Sequence, residues 1–243
     1  MKVQAKTDVG MVRSDNQDYF FFSAEPVGNL KNLFLVADGM GGHRAGDMAS
    51  RFTVETFVKL ISGYEYTDTV TLLTEAVTQV NSLLLKKAGE SEDYEGMGTT
   101  LVAATIDGNT LKVANVGDSR LYLVSDDICQ VTRDHSLVEE MVLRGQLEKE
   151  EAKTHVNKNI ITRAIGAGET VTPEIFSADL GPGVKILMCS DGLTNMVEDK
   201  KIERLINESA SVDEAVTELI AAANNAGGKD NVTALLIDPE IGR

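Results

Sequence analysis

Two cysteines, three histidines and four prolines in 243 residues leave little material for several kinds of chemistry. Cys129 and Cys189 are too few and too far apart to make a disulfide framework or a zinc knuckle. Both lie in apolar contexts, DDICQV and ILMCSD, and are expected as buried free thiols in a reducing compartment. Soft metal ligands are therefore scarce. Basic residues are scarce as well: 23 Lys and Arg stand against 38 Asp and Glu, a net charge of −15. That balance argues against nucleic acid, whose phosphates must be neutralised by cations, and does not suit an anionic membrane surface. No apolar run approaches the ~20 residues of a membrane span. The opening MKVQAKTDVG holds no apolar segment of the signal-peptide kind. A soluble, cytoplasmic chain is the expectation.

What is present reads as one domain, residues 1–243, with enough apolar content (42%) for a sizeable core. Lys2 to Thr7 alternates as an edge strand, and Tyr19 to Phe22 pairs with Lys31 to Ala37 around the turn material Glu25 to Asn29. Helical spacing follows over Asp47 to Ile61 and over Asp68 to Ala88, with Asp68 placed to cap and Gly63 and Gly89 placed to stop. A series of short β-like runs comes next: Thr99 to Ile106, Thr110 to Val116, Arg120 to Val124 and Ile128 to Thr132. Asp107-Gly108-Asn109 between the first two is a hairpin signal. Hairpins in succession mean antiparallel pairing. Asp134 to Gly168 is polar and charged, with two short helices split by Gly145, and is expected as a mobile surface excursion. Val184 to Ser190 is a strand, Ser211 to Asn225 a helix, and Asn231 to Ile237 the last strand. Antiparallel sheets covered by helices follow from this order.

Five aspartates stand at the mouths of these strands. Asp38 follows FLVA, Asp118 follows KVANVG, Asp191 follows ILMCS, Asp230 precedes NVTALLI, and Asp18 precedes the Tyr19 strand. Any one of them has an ordinary explanation, because Asp-Gly is a favoured turn pair. Together they would repel and lose solvation unless divalent cations compensated them. Mg²⁺ and Mn²⁺ prefer such oxygen ligands. Glycine at 39 would let a backbone carbonyl approach an ion, and Gly41-Gly42 would admit a bulky ligand. No GxxxxGKS or GxxxxGKT loop occurs, so phosphate is not held in the P-loop manner. A pair of oxygen-ligated ions points to hydrolysis, often of phosphate esters.

Arg13 with Asn16-Gln17-Asp18, then Asp38-Gly39-Met40-Gly41-Gly42-His43, Gly98-Thr99-Thr100, Asn115 to Arg120, Asp134-His135-Ser136, Ser190-Asp191-Gly192-Leu193 and Asp230 to Thr233 occur in this order. Across Lys2 to Asp238 the chain resembles the metal-dependent serine/threonine phosphatases of the PPM (phosphatase 2C) family, and its short bacterial members in particular. The resemblance implies an α+β fold, a four-layer α/β/β/α sandwich of two central antiparallel sheets, with residues 134–168 as a flap beside the active site. It implies two Mn²⁺ or Mg²⁺ ions: Asp38 bridging both, the Gly39 carbonyl on one, Asp191 and Asp230 on the other, and Asp18 reaching them directly or through water. Asp118 matches the ligand of a third, weaker ion, and Arg13 matches the clamp on the substrate phosphate. The implied reaction is direct in-line attack on phosphoserine or phosphothreonine by a hydroxide bridging the ions, without a phosphoenzyme.

One departure matters. Many eukaryotic members carry a histidine general acid directly after the Asp-Gly pair, where this chain has Met40, so that role does not transfer. His43 is the nearest histidine, a surface residue or an auxiliary acid. His135 is expected as a turn or packing residue. The implied partners are phosphorylated proteins and a cognate serine/threonine kinase, with the phosphatase itself a monomer. The rival readings are a phosphatase of small phosphorylated metabolites and a non-catalytic metal-binding module of the same fold.

Overall fold

Leu33 to Ala37 is buried on both sides of its strand, and the alternation of side chains accounts for this. Leu33, Leu35 and Ala37 point into a core shared with helices, whereas Phe34 and Val36 point into a second core between two sheets. The structure, a computed structural model, describes residues 1–42, 45–65 and 68–242. In chain order the elements are β1 (Lys2–Asp8), β2 (Asp18–Ser23), β3 (Leu33–Met40), α1 (Ala45–Gly63), α2 (Thr69–Ala88), β4 (Gly98–Thr99), β5 (Leu101–Asp107) and β6 (Thr110–Val116). They continue with β7 (Arg120–Val124), β8 (Ile128–Gln130), α3 (Leu137–Leu143), α4 (Lys149–Ala152), β9 (Glu174–Asp179), β10 (Lys185–Cys189), α5 (Asp191–Thr194), α6 (Asp199–Glu208), α7 (Val212–Asn225) and β11 (Val232–Asp238).

One sheet runs β1-β11-β10-β7-β8; the other runs β2-β3-β5-β6-β9, with β4 added against β3. Every neighbouring pair is antiparallel. Phe57 of α1 and Leu73 of α2 close over the β3 sheet, and Ile202 of α6 and Leu219 of α7 close over the β11 sheet. Between the sheets lie Phe34, Val102, Val113, Leu121, Met188 and Leu235. Three apolar layers thus hold four layers of secondary structure together, the expected α/β/β/α sandwich. Each fully buried side chain of this size contributes about 1.5–3 kcal/mol relative to exposure.

Local signals explain most boundaries. Asp68 caps α2 by accepting from the Thr71 amide at 2.8 Å, and Ser211 caps α7 by accepting from the Glu214 amide at 3.1 Å. The Asp107-Gly108-Asn109 hairpin forms, with Asp107 paired to Thr110. Three elements had no reading in the sequence. Strand β9, EIFSAD, lies at a sheet edge and alternates weakly; α6 offers only Ile202 and Ile206 as fully buried positions; α5 is a single turn. The run from Gly98 is interrupted at Thr100, which separates β4 from β5.

One expectation is corrected. Cys189 is buried, but Cys129 is exposed, because β8 is a three-residue edge strand and Cys129 lies on its outer face. Within residues 134–168, Val156 is 89% exposed whereas Ala164 and Ile165 are buried. The ends of this segment are held: Thr99 and Ile165 exchange backbone hydrogen bonds at 2.9 Å, and the Asn81 side chain accepts from the Gly166 amide while donating to the Gly168 carbonyl.

Candidate metal centre

All five strand-mouth aspartates emerge at one end of the sandwich. Asp18 opens β2 and is the register partner of Asp38, near the end of β3. Asp118 stands two residues past the end of β6, in the crossing from one sheet to the other. Asp191 follows the end of β10, and Asp230 precedes β11, its antiparallel neighbour. The topology thus brings together the carboxylates that sequence placed at separate strand ends.

The bare positions after Asp38 and Asp191 have a packing cause. A Cβ on Gly39 would sit 2.0 Å from the Gly46 carbonyl oxygen in the first turn of α1 and 2.7 Å from that of Gln17. A Cβ on Gly192 would sit 1.8 Å from the Asn231 carbonyl oxygen. Glycine at these two sites lets the Asp38 segment close onto the Asp18 loop and the Asp191 segment onto the Asp230 loop. Backbone-to-backbone packing, more than room for a ligand, is what excludes a side chain there.

Hydrogen bonds fix the aspartates further. Asp18 is 4% exposed, and its Oδ2 accepts from Ser190 Oγ and Thr233 Oγ1, both at 2.6 Å, across the gap between the sheets. Its Oδ1 has no partner, and neither has Oδ1 of buried Asp118. The Asp38 peptide is clamped: its amide donates to Thr100 Oγ1, and its carbonyl accepts from Thr99 Oγ1, each at 2.9 Å. Asn195 Nδ2 donates to Asp191 Oδ2 at 2.8 Å. Ser190, Thr233, Thr99 and Thr100 all stand inside the motif strings, yet no spacing rule showed what their hydroxyls do. Asn195 had no signal at all.

The electrostatics follow from burial and crowding. Burial first, then Asp18, Asp191, Asp118 and Asp230 in turn, hold the Asp38 carboxyl well above its ordinary range. Asp18 is pushed up to about 7, chiefly by burial, against the opposing pull of the Ser190 and Thr233 hydroxyls. Asp118 rises to about 8, from burial and then Asp191. Asp191 rises to about 6, from burial and then Asp230, opposed by Arg120 and by a side-chain hydrogen bond with Asp38. Without other cations, the cluster is stable only when it holds protons. The cationic side chain expected at the site, Arg13, is about half exposed and forms an ion pair with Asp230 at 2.8 Å.

Divalent ions fit this donor set. The donors are hard oxygens, two of them buried and unpartnered, and the proton affinity they share marks a demand for positive charge. Among the described residues, no three His, Cys, Asp or Glu side chains are already drawn into one coordination shell. The fit therefore rests on donor chemistry and orphaned oxygens. His43 lies outside the described residues. His135 is buried and structural, as expected: its Nδ1 accepts from the Gly117 amide at 3.0 Å, and its backbone amide donates to the Gly117 carbonyl.

Comparison with known proteins decides the family. The family model described as protein phosphatase 2C matches residues 12–236. The chain belongs to the protein phosphatase 2C family. It is 40% identical to a putative protein phosphatase 2C-type of Streptococcus pyogenes, covering 99% of this chain and 98% of that one. Among solved structures, the serine/threonine phosphatase Stp1 of Staphylococcus aureus superposes with a TM-score of 0.90 at 35% identity, covering 98% of this chain and 95% of its own. The catalytic domain of the serine/threonine protein phosphatase PstP, solved in complex with two manganese ions, superposes at 0.84 and 34% identity, covering 97% of this chain and 96% of that one. The two antiparallel sheets and flanking helices are thus those of the phosphatase 2C family.

Proposed function

We propose that this member of the phosphatase 2C family hydrolyses phosphoserine and phosphothreonine in proteins at the aspartate-lined end of its sandwich, using Mn²⁺ or Mg²⁺. Asp38, Asp191 and Asp230, with the Gly39 carbonyl, would hold two ions; Asp18 would support them, and Asp118 would take a third. When bound, such ions supply concentrated positive charge and acidify water, which makes a nucleophile at neutral pH. The observation that carries this reading is the gathering at one end of the sandwich of buried Asp18 and Asp118 with half-buried Asp38 and Asp191, from both sheets, each carboxyl held above its ordinary range.

The chain's own groups do the rest. The two hydroxyls on Asp18 Oδ2 fix that carboxylate and leave its buried Oδ1 without a hydrogen bond. The Thr99–Thr100 clamp fixes the peptide of Asp38, and Asn195 fixes Asp191. Arg13 is exposed enough to meet a substrate, and its planar fork suits a phosphoryl group, which would compete with Asp230 for it. Charge developing on the phosphoryl oxygens would then be met by Arg13. No nucleophilic side chain of the chain is needed.

A serine/threonine kinase acting on the same proteins is the implied counterpart, and a cytoplasmic monomer is the working state. No helix among the described residues is long and apolar enough to cross a membrane. The test is turnover of p-nitrophenyl phosphate and of a phosphothreonine peptide with Mn²⁺, before and after a chelator, together with calorimetric titration of Mn²⁺ into wild type and Asp38→Asn. Turnover that survives chelation, or full Mn²⁺ binding by Asp38→Asn, would overturn the assignment.

A further inference from the structure

The same end of the sandwich carries a recess of opposite character. It has a volume of about 560 Å³ and opens between Arg133, Arg163, Thr170, Thr172 and Glu174. Glu174 opens β9 as the register partner of Asn115, and so lies beside the end of β6 that leads to Asp118. Two arginines therefore flank the aspartate crevice on the side of the β9 edge, while Arg13 stands by Asp230.

The guanidinium groups are under-used. Arg163 Nη1 donates to the Thr172 carbonyl at 3.3 Å and lies 3.3 Å from His135 Nε2. His135 Nδ1 already accepts from the Gly117 amide, so the ring proton sits on Nε2, which faces Glu174 Oε2 at 3.3 Å. Arg163 therefore finds no acceptor on that ring. Among the described residues no carboxylate forms an ion pair with it, and Arg133 shares Glu174 with His135, at 3.4 Å. Each guanidinium offers five N–H donors in a planar fork. Two such forks against one shared carboxylate leave donors and positive charge facing the recess, in a chain whose net charge is −15.

We propose that this recess binds a second phosphoryl group on the same peptide as the one being hydrolysed. The inference rests on the phosphatase reading of the aspartate crevice. A dianion matches two forks better than the single charge of a carboxylate does. Strand order sets the spacing. From β3 through β5 and β6 to β9 is three steps of ~4.8 Å, or ~14 Å, which an extended peptide covers in about four residues at ~3.4 Å each. Residues four apart in an extended chain point the same way, so both phosphoryl groups would face the protein.

The test uses the Mn²⁺-loaded enzyme and phosphothreonine peptides that carry a hydrolysis-resistant phosphonate serine analogue three, four or five residues to either side. Control peptides carry serine or glutamate at the same place. Wild type is expected to show KM lowered about fivefold by the phosphonate at a spacing near four, the scale of one exposed ion pair, with kcat unchanged. Glutamate should give less, and free phosphate should not reproduce the selectivity. Arg133→Gln and Arg163→Gln should each erase most of the gain while p-nitrophenyl phosphate turnover and the melting temperature stay at wild-type values. The proposal falls if no spacing lowers KM, if the gain persists in both variants, or if Arg163→Gln loses p-nitrophenyl phosphate turnover in equal measure. That last result would mean it acts through His135 and the Gly117 loop. If wild type turned over neither p-nitrophenyl phosphate nor the singly phosphorylated peptide, the phosphatase reading itself would fail.

Discussion

The middle of the sandwich and its acidic end are made from the same strands, yet they face opposite physical demands. In the middle, Phe34 and Val36 of β3, Met188 of β10 and Leu235 of β11 are fully buried against one another. A few residues away, β3 and β10 lead to Asp38 and Asp191, whose partial burial beside other carboxylates makes their charge unfavourable. Desolvating a carboxylate costs several kcal/mol, whereas each buried apolar side chain contributes about 1.5–3 kcal/mol. The apolar middle therefore holds the strand ends where they are, and the acids must accept that geometry. A rim under electrostatic strain is tolerable only on a frame that is stable without it.

The sharpest break of this comparison is Asp38→Ala. Turnover of p-nitrophenyl phosphate with Mn²⁺ should fall by about a thousandfold or more, while the melting temperature measured in chelator should equal or exceed that of wild type. Removing a crowded acid relieves repulsion that no other residue needs. A lower melting temperature for this variant would show that the acidic end helps to build the fold. Leu235→Ala in the middle should do the reverse. It should destabilise by about 2–5 kcal/mol, lowering the melting temperature by roughly 10 °C, with kcat near wild type at low temperature.

Acidity turns the same comparison into a titration. Asp18, Asp191 and Asp118 bind protons more tightly in the folded chain than their ordinary value of 3.8, with midpoints of about 7, 6 and 8. The folded state thus holds more protons than the unfolded state between pH 4 and 8, and stability must fall as pH rises through that window. Their contribution is fully present below about pH 4 and lost above about pH 8. In chelator the melting temperature should drop several degrees between pH 5.5 and 8. Saturating Mn²⁺ should flatten the profile, because it favours the deprotonated acids. An unchanged slope with and without Mn²⁺ would separate the metal from these carboxylates.

Much of this frame was legible in the sequence because it rests on local signals. The Asp107-Gly108-Asn109 hairpin, the Asp68 cap and the doubly buried run from Leu33 each carry their instruction within a few residues. What was not legible depends on neighbours. Strand β9 exists because β6 offers it an edge, and α6 because its two isoleucines meet the β11 sheet. Cys129 reads as apolar in sequence, yet it faces outward on a three-residue edge strand. At the acidic end the aspartates showed themselves through their strand-mouth positions, but their supports did not. Ser190 and Thr233 are far from Asp18 in sequence, and only antiparallel pairing brings β10 and β11 beneath it. Gly39 reads in sequence as a place where a backbone carbonyl can approach an ion, and Gly192 carries no reading; the structure gives both a packing cause.

The smallest expected effect tests those supports. Thr233→Val keeps the shape of the side chain and removes one of the two hydroxyls on Asp18 Oδ2; it also removes the contact between Thr233 Oγ1 and Thr7 Oγ1 at 2.7 Å. Both hydroxyls pull the Asp18 carboxyl towards its charged form against the effect of burial. With one gone, Asp18 should hold its proton to higher pH and be less firmly aimed. Mn²⁺ affinity at neutral pH should weaken by about tenfold, the usual scale for losing a partner that orients a metal ligand. Raising the pH should recover part of the loss, since the competing proton then leaves. Calorimetric titration of Mn²⁺ at several pH values reads this directly. An affinity unchanged at every pH would mean that Asp18 is buried for the sake of the fold, and it would join the apolar middle in this comparison.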